Sequence, residues 1–463
     1  MDYNFMVCAF SLVALSALII VSASGWYKEA IALGDSRLRA CFNAGFFFSL
    51  LYFLMFIVEP VLILLWREGS GYFLIPMSTE TIYSLLSKAL LYGLAGYVSF
   101  VLGYRLKLFR KIGQALPYFS INRVNRSLLI AVIILYFLVS IFGLYLYGID
   151  TLLYVLSHPQ TRIETLAGTG YLFFAVQFYL TAVLLMYAYH LDSHKQSRIW
   201  GLFLWLLPLT VLTFGGRTHL MEIWLGMLII YVFKERRPNF TQILTSSLLI
   251  ISTTGLYFIY RQFVTSTQGI GSFSDIEDAP LKFLWSIRHT LVPFDNFMAY
   301  LDVFQSNLNY QYGSPFIDIL HYIIPGDIFH LTPLEPGVEL AQVLYPGILE
   351  GTGTPYTIVG FLHNNFSLPG IIVGMFFIGG SLRALNSYMR YNMEQNSVII
   401  IYSIVMGRLI IVLWGVFYSG VLGYAQFFLQ FIIVFALLSG FKMRKKVIRD
   451  YTVSSGYKFN ESI

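Results

Sequence analysis

Residues 41–66 read CFNAGFFFSLLYFLMFIVEPVLILLW. Glu59 is the one charged residue among them. A helix needs about 20 apolar residues to cross a bilayer, and this run is long enough to cross with some tilt. Comparable runs recur at about 5–23, 81–102, 128–147, 169–189, 199–214, 218–233, 240–260, 368–388, 398–418 and 422–438. Their length and number predict an all-α polytopic membrane protein with about 11 transmembrane helices. The short alternating segments of a membrane β-barrel are absent from the sequence.

Composition agrees. The chain is 57% hydrophobic and 12% charged, where a soluble domain carries about 25% charge. The formal net charge of +6 implies no nucleic-acid partner, because most basic residues sit in short loops, where they set orientation. Basic clusters fall in alternate loops: Lys28, Arg37 and Arg39 after the first run; Arg105, Lys107, Arg110, Lys111, Arg123 and Arg126 after the third; Lys195 and Arg198 after the fifth. Lys234, Arg236 and Arg237 follow the seventh, and Lys442, Arg444, Lys445, Lys446 and Arg449 lie in the tail. The positive-inside rule makes these loops cytoplasmic, with the N-terminus external and the C-terminus inside. Cys8 and Cys41 then lie near opposite faces, out of reach of a disulfide.

The expected organisation is residues 1–260 as spans one to eight, 261–367 as one large external loop domain, 368–441 as spans nine to eleven, and 442–463 as a basic tail. The long loop holds ten of the 24 acidic residues but only three basic ones, Arg261, Lys282 and Arg288, and four of the eight histidines. Pro280 to Gln305 reads as short helices broken at Pro293, and Ser314 to Ile324 as another with Pro315 in its first turn. Aromatic residues such as Phe283, Trp285, Phe294, Phe297, Tyr300 and Phe304 place the loop on the membrane surface or over the bundle.

Two regions could carry chemistry. One is the turn Gly215-Gly216-Arg217-Thr218 before span seven. Its glycines admit a close ligand, Thr218 is a candidate N-cap, and the free N–H groups with Arg217 suit an anion. A tight hairpin with a snorkelling arginine is the plainer reading. The other region is the long loop, where Arg261 and Arg288 could converge with Arg217 on a phosphate or serve as interfacial anchors. His289, Glu350 and His363 are candidate acid–base residues. Arg408 falls inside span ten, where a charge is costly and marks either a site or an ion pair, with Glu59 as the expected partner. Asp275, Glu277 and Asp278 could hold a divalent cation or form a solvated loop. Phosphate-loop, zinc and dinucleotide motifs are absent from the sequence.

The chain resembles the bacterial oligosaccharide repeat-unit polymerases, the Wzy-type O-antigen and common-antigen polymerases. The resemblance lies in the span count with one large late loop, in Gly215-Gly216-Arg217, in the segment Arg288-His289-Thr290 through Pro293 to Asn296, in Ile324-Pro325 with Pro333, and in 353–360. In the common-antigen branch the turn reads Gly-Gly-Thr-Arg, so the arginine here stands one place earlier. The resemblance implies a metal- and cofactor-independent glycosyltransferase of the bacterial inner membrane. It would move a glycan from undecaprenyl pyrophosphate onto the next lipid-linked repeat unit, beside a flippase and a chain-length regulator. Arg217, Arg261, Arg288 and Arg408, with Gly215, Gly216 and Thr218, would hold the pyrophosphate. Glu350, His363 or His289 would serve the acceptor. A lipid-linked oligosaccharide flippase, an O-antigen ligase and a membrane scaffold are the rival readings.

Overall fold

The computed structural model describes residues 3–65, 78–119, 182–192, 217–234, 292–304, 308–316, 336–344, 354–415 and 443–444, with isolated positions at 127–138 and 241–252. The helices are α1 (Tyr3–Ala32), α2 (Arg37–Cys41), α3 (Ala44–Leu65), α4 (Thr79–Arg105), α5 (Lys107–Ala115), α6 (Arg217–Lys234), α7 (Pro293–Val303), α8 (Pro336–Leu344), α9 (Thr357–Tyr391) and α10 (Asn396–Leu413). Strand β1 (Tyr118–Phe119) pairs antiparallel with β2 (Met443–Arg444). Among the described residues five helices, α1, α3, α4, α9 and α10, are long and apolar enough to cross a membrane, and the chain is an all-α membrane protein. Helix α6 forms where span seven is expected, and residues 182–192 are helical at the end of the fifth run. The expected spans four, six, eight and eleven lie outside the described residues, isolated positions aside.

Element bounds follow local chemistry. Helix α3 starts at Ala44, not at residue 41, because the Asn43 side chain caps it, accepting from the N–H groups of Gly45 (3.0 Å) and Phe46 (3.4 Å). Within α3, Leu54–Val58 form a π-helical turn. The basic stretch after α4 is a helix rather than a loop: α5 begins after Leu106 alone. Proline 293 opens α7 at its first turn, where its missing N–H costs nothing.

Helix α1 buries Cys8, Ser11, Leu15, Ile19, Ser22, Trp26 and Ala30, a stripe at helical spacing, and exposes Phe10, Val13 and Ile20. The tightest helix pair is α4 against α9. A Cβ on Gly103 would overlap the carbonyl of Phe376, and one on Gly379 the carbonyl of Phe100, so backbone touches backbone. Lipid tails are as apolar as leucine, so helices in a membrane gain contact through such small residues. The Tyr97 hydroxyl bonds both Ser22 and Ser49 at 2.7 Å, joining α1, α3 and α4 inside the apolar core.

One end of the bundle collects the charged groups. The Arg39 guanidinium donates to the carbonyls of Val232 (3.1 Å) and Phe233 (2.9 Å), closing the C-terminus of α6. Lys234 donates to Ala188 O (2.7 Å) and pairs with Asp192 (2.6 Å). Arg383 meets Glu29 through both terminal nitrogens, at 2.8 and 3.3 Å, and Arg390 pairs with Asp35. The β1–β2 pairing adds the tail. The loops that the charge pattern assigns to one membrane side thus meet at one end of the fold.

The glycine contact makes a prediction. Replacing Gly379 with leucine must part α4 from α9 or distort them, and overpacking of this kind costs about 1–3 kcal/mol or more. Gly25 has open space around an added Cβ, so Gly25→Ala should be neutral or stabilising by up to about 1 kcal/mol. Thermal unfolding of the two variants in detergent should separate them, Gly379→Leu melting well below the parent.

Candidate functional site

At the opposite end of the bundle, the first part of α9 does not continue into the second. Phe366 (φ −142°, ψ 24°) and Ser367 (φ 56°, ψ −150°) leave helical geometry, and Pro369 follows. A Cβ on Gly370 would meet the carbonyl of Leu362, and one on Gly374 the Leu362 side chain. In a straight helix those residues would lie about 12 and 18 Å from Leu362 along the axis. Residues 357–365 therefore form a short helix folded back against the start of the long one. All nine are buried. Thr357 starts this helix with a positive φ of 66°; its N–H donates to Trp414 O (3.0 Å), and its hydroxyl accepts from Gly360 N–H (3.1 Å) as a cap would. At the other end the Asn364 carbonyl accepts from Gln311 N–H (2.9 Å), and Asn365 Oδ1 from Gly313 N–H (3.2 Å).

Helix α7 and the segment after it close over this helix. Phe294, Phe297 and Tyr300 are fully buried, and Phe294 packs edge-on to Phe56 in the π-helical turn, with centroids 5.4 Å apart. Their spacing is helical, and the face turns into the bundle instead of offering rings to a ligand. Asn296 Nδ2 donates to Pro355 O (2.7 Å), fixing α7 to the chain entering the short helix.

His363, expected in an exposed loop, is 3% exposed inside this arrangement. Four rings surround it: Tyr92 from α4 at a centroid distance of 4.8 Å, Phe304 at 5.2 Å, Tyr300 at 5.8 Å and Tyr310 at 6.0 Å. The Tyr300 hydroxyl lies 3.0 Å from His363 Nδ1 and 3.4 Å from Asn364 Oδ1, and Asn364 Nδ2 donates to the Tyr356 hydroxyl at 3.0 Å. Burial first, and then the neighbouring tyrosines, push the Tyr300 phenol far above its ordinary value, so it keeps its proton.

Tyr300 has one proton for two acceptors. With it on the 3.4 Å contact to Asn364 Oδ1, Nδ1–H donates to Tyr300 and the lone pair lies on Nε2; with it on the 3.0 Å contact to Nδ1, Nε2 carries the imidazole proton. Among the described residues Nε2 has no hydrogen-bond partner. In the first arrangement the imidazole can accept a proton from a hydroxyl brought to it.

Of the other expected site residues, Gly215, Gly216, Arg261, Arg288, His289 and Glu350 lie outside the described residues, as do Asp275, Glu277 and Asp278. Arg217 opens α6, which puts Thr218 inside the first turn instead of at the N-cap. Arg408 is buried, as expected, and it pairs with Glu222 of α6, a partner not expected from the sequence, Arg408 Nε to Oε2 at 3.5 Å. The helices meet there because Gly407 lets the Glu222 backbone approach: its Cβ would sit 3.0 Å from the Glu222 carbonyl. Glu222 is about 7.5 Å along the axis from Arg217, so Arg408 lies two turns or less below the start of α6. Among the described residues no three His, Cys, Asp or Glu side chains gather closely enough to hold a metal.

Sequence reasoning missed Tyr300, Asn364 as a hydrogen-bond relay, and Glu222 as the arginine's partner. A signal for the first was present: Phe294, Phe297 and Tyr300 recur every three residues, which marks one helix face.

Two outcomes follow. Arg408→Met takes the Arg408 cation away from buried Glu222 and should destabilise the protein by about 3–5 kcal/mol, while Arg408→Met with Glu222→Gln should regain most of the loss in detergent melting. In nitrogen NMR of histidine-labelled protein, the resonance lost in His363→Gln should show a protonated Nδ1, and Tyr300→Phe should shift that resonance without unfolding the chain. An Nδ1 free of its proton in the parent protein would refute the relay. No family model, curated protein or solved structure matches the chain, so this reading of the site rests on its own residues.

Proposed function

We propose that the chain is an integral-membrane glycosyltransferase that polymerises undecaprenyl-pyrophosphate-linked oligosaccharide repeat units into a surface polysaccharide. The observation that carries this reading is the buried imidazole of His363, held at Nδ1 by the Tyr300 hydroxyl, inside a ring of aromatic side chains. A partly exposed aromatic ring with amide and carboxylate groups beside it suits a sugar. Partly exposed Tyr310 and the Gln311–Glu339 contact of 2.7 Å lie beside the histidine's helix.

In this mechanism the acceptor hydroxyl docks against Nε2. Its oxygen forms a bond to the anomeric carbon of the donor glycan, its proton passes to Nε2, and the bond from that carbon to the pyrophosphate oxygen breaks. Charge then develops on the leaving pyrophosphate. The start of α6 with Arg217, joined by Arg261 and Arg288, would meet that charge. Arg408, tied to Glu222, serves as the buried support beneath that helix start; this revises its expected direct contact with the phosphate. The polar end with Arg39, Lys234, Arg383 and Arg390 is then cytoplasmic and the His363 end external, in a bacterial inner membrane.

The test is extension of a lipid-linked repeat unit by purified protein with EDTA present. His363→Gln should fold, bind donor and fail to transfer. Arg217→Ala, Arg261→Ala and Arg288→Ala should each slow transfer by about a hundredfold or more, as loss of a transition-state charge donor does. Parental chain lengths from His363→Gln would remove the base, and parental rates from all three arginine variants would remove the phosphate site.

A further inference from the structure

Helix α5 has no part in that chemistry, yet it is built with three distinct faces. Phe109 and Gly113, one turn apart, face the bundle. A Cβ on Gly113 would overlap the Ala384 carbonyl, and the Phe109 ring lies within 6.0 Å of Phe376 and 6.4 Å of Phe377, centroid to centroid. This face fixes the helix to α9. Leu108 and Ile112, again one turn apart, are 58% and 42% exposed on a second face. Lys107, Arg110 and Lys111 occupy the third and are exposed. From Arg105 to Phe119 there is no acidic residue. The nearest charged pairs on α9 already close Glu29 with Arg383 and Asp35 with Arg390.

Position says what covers the exposed leucine and isoleucine. Arg105 ends the membrane-spanning α4, and only Leu106 separates it from α5. The helix therefore turns off at the edge of the bilayer, with one side apolar and the next basic. Aliphatic side chains there can enter the acyl region while the basic ones reach the headgroup phosphates. Just beyond α5, the backbone of Tyr118–Phe119 pairs with that of Met443–Arg444.

We propose that α5 forms a docking surface for anionic phospholipid headgroups on the end of the bundle opposite His363. The juxtaposition that carries it is a basic face and an exposed apolar face on one helix rigidly packed at the end of a membrane span. Phe109 and Gly113 hold its orientation, so the surface is fixed before lipid arrives.

The experiment uses the full chain in phosphatidylcholine nanodiscs with or without phosphatidylglycerol, and in detergent with a mixture of the two lipids. Native mass spectrometry of the detergent sample should show phosphatidylglycerol retained in preference to phosphatidylcholine. Each basic side chain near an anionic surface strengthens binding about fivefold, so the triple change Lys107→Gln, Arg110→Gln, Lys111→Gln should weaken retention by about a hundredfold at low salt. The three residues are exposed, so the variant should melt like the parent. Spin labels give the second reading: at Leu108→Cys the label should be reached by oxygen, and at Lys111→Cys by a water-soluble nickel chelate. Equal lipid preference in parent and triple variant overturns the proposal. So does a Leu108 label open to the nickel chelate, which would assign this face to water or to a protein partner.

Discussion

Backbone contact between α4 and α9 governs how the bundle is assembled. Gly103 and Gly379 each sit under a carbonyl of the opposite helix, and no side chain fits between. Inside a bilayer the hydrophobic effect gives two helices little reason to associate, so close approach and dispersion must supply the attraction. Once α4 and α9 touch along this seam, the next partners are constrained. Tyr97 of α4 reaches Ser22 and Ser49 at 2.7 Å, which sets α1 and α3. Gly113 repeats the device one helix on, against Ala384. The same pair also places Tyr92 of α4 over His363.

Polar interactions divide between the two ends with different purposes. At the end holding Arg39, Lys234, Arg383 and Arg390, ionic groups close helix termini and tie loops to one another, mostly in partly exposed settings where each pair contributes little alone. Around His363 the polar groups in contact are amides, phenols and an imidazole, deeply buried. A buried neutral network is stable only when its members are satisfied, and then it specifies one arrangement. Arg408 and Glu222 stand between these regimes. Both are nearly inaccessible, so the pair adds little net stability over an apolar contact but penalises any arrangement that separates α6 from α10. That makes it a registry device for the helix whose start carries Arg217.

Much of the fold was legible because the bilayer imposes it. Apolar length located α1, α3, α4, α9 and α10, and alternating charge sorted loops that the fold then gathers at one end. Bounds were less legible, since Asn43 and Leu106 set them through local bonds that hydropathy does not register. Helix α5 read as a basic loop because charge dominates a stretch of nine residues, although Phe109 and Gly113 already carried the i, i+4 signal. His363 was named as an acid–base candidate, but for its place before a span. Its actual environment depends on Tyr92, Tyr300, Phe304 and Tyr310, residues brought from three places in the chain. No local pattern encodes that meeting, nor the approach of Glu222 to Arg408.

Backbone strain marks the same region independently. Among the described residues three non-glycine positions have positive φ: Tyr312 (47°), Thr357 (66°) and Ser367 (56°). Thr357 begins the short helix of His363, Ser367 ends it, and Tyr312 sits in the turn whose flanking N–H groups, from Gln311 and Gly313, bond Asn364 and Asn365. Each such residue costs on the order of 1–3 kcal/mol and persists only where its surroundings over-determine it. Here the over-determining bonds are the ones that fix the helix: Thr357 N–H to Trp414, Gly360 N–H to the Thr357 hydroxyl, and the two from the Tyr312 turn. A continuous α9 is not the relaxed alternative, because Pro369 inside it would lose a backbone hydrogen bond and press on the carbonyl of Asn365. The break, the proline and the three strained residues act together: they fold 357–365 back into the bundle and set His363 against Tyr300.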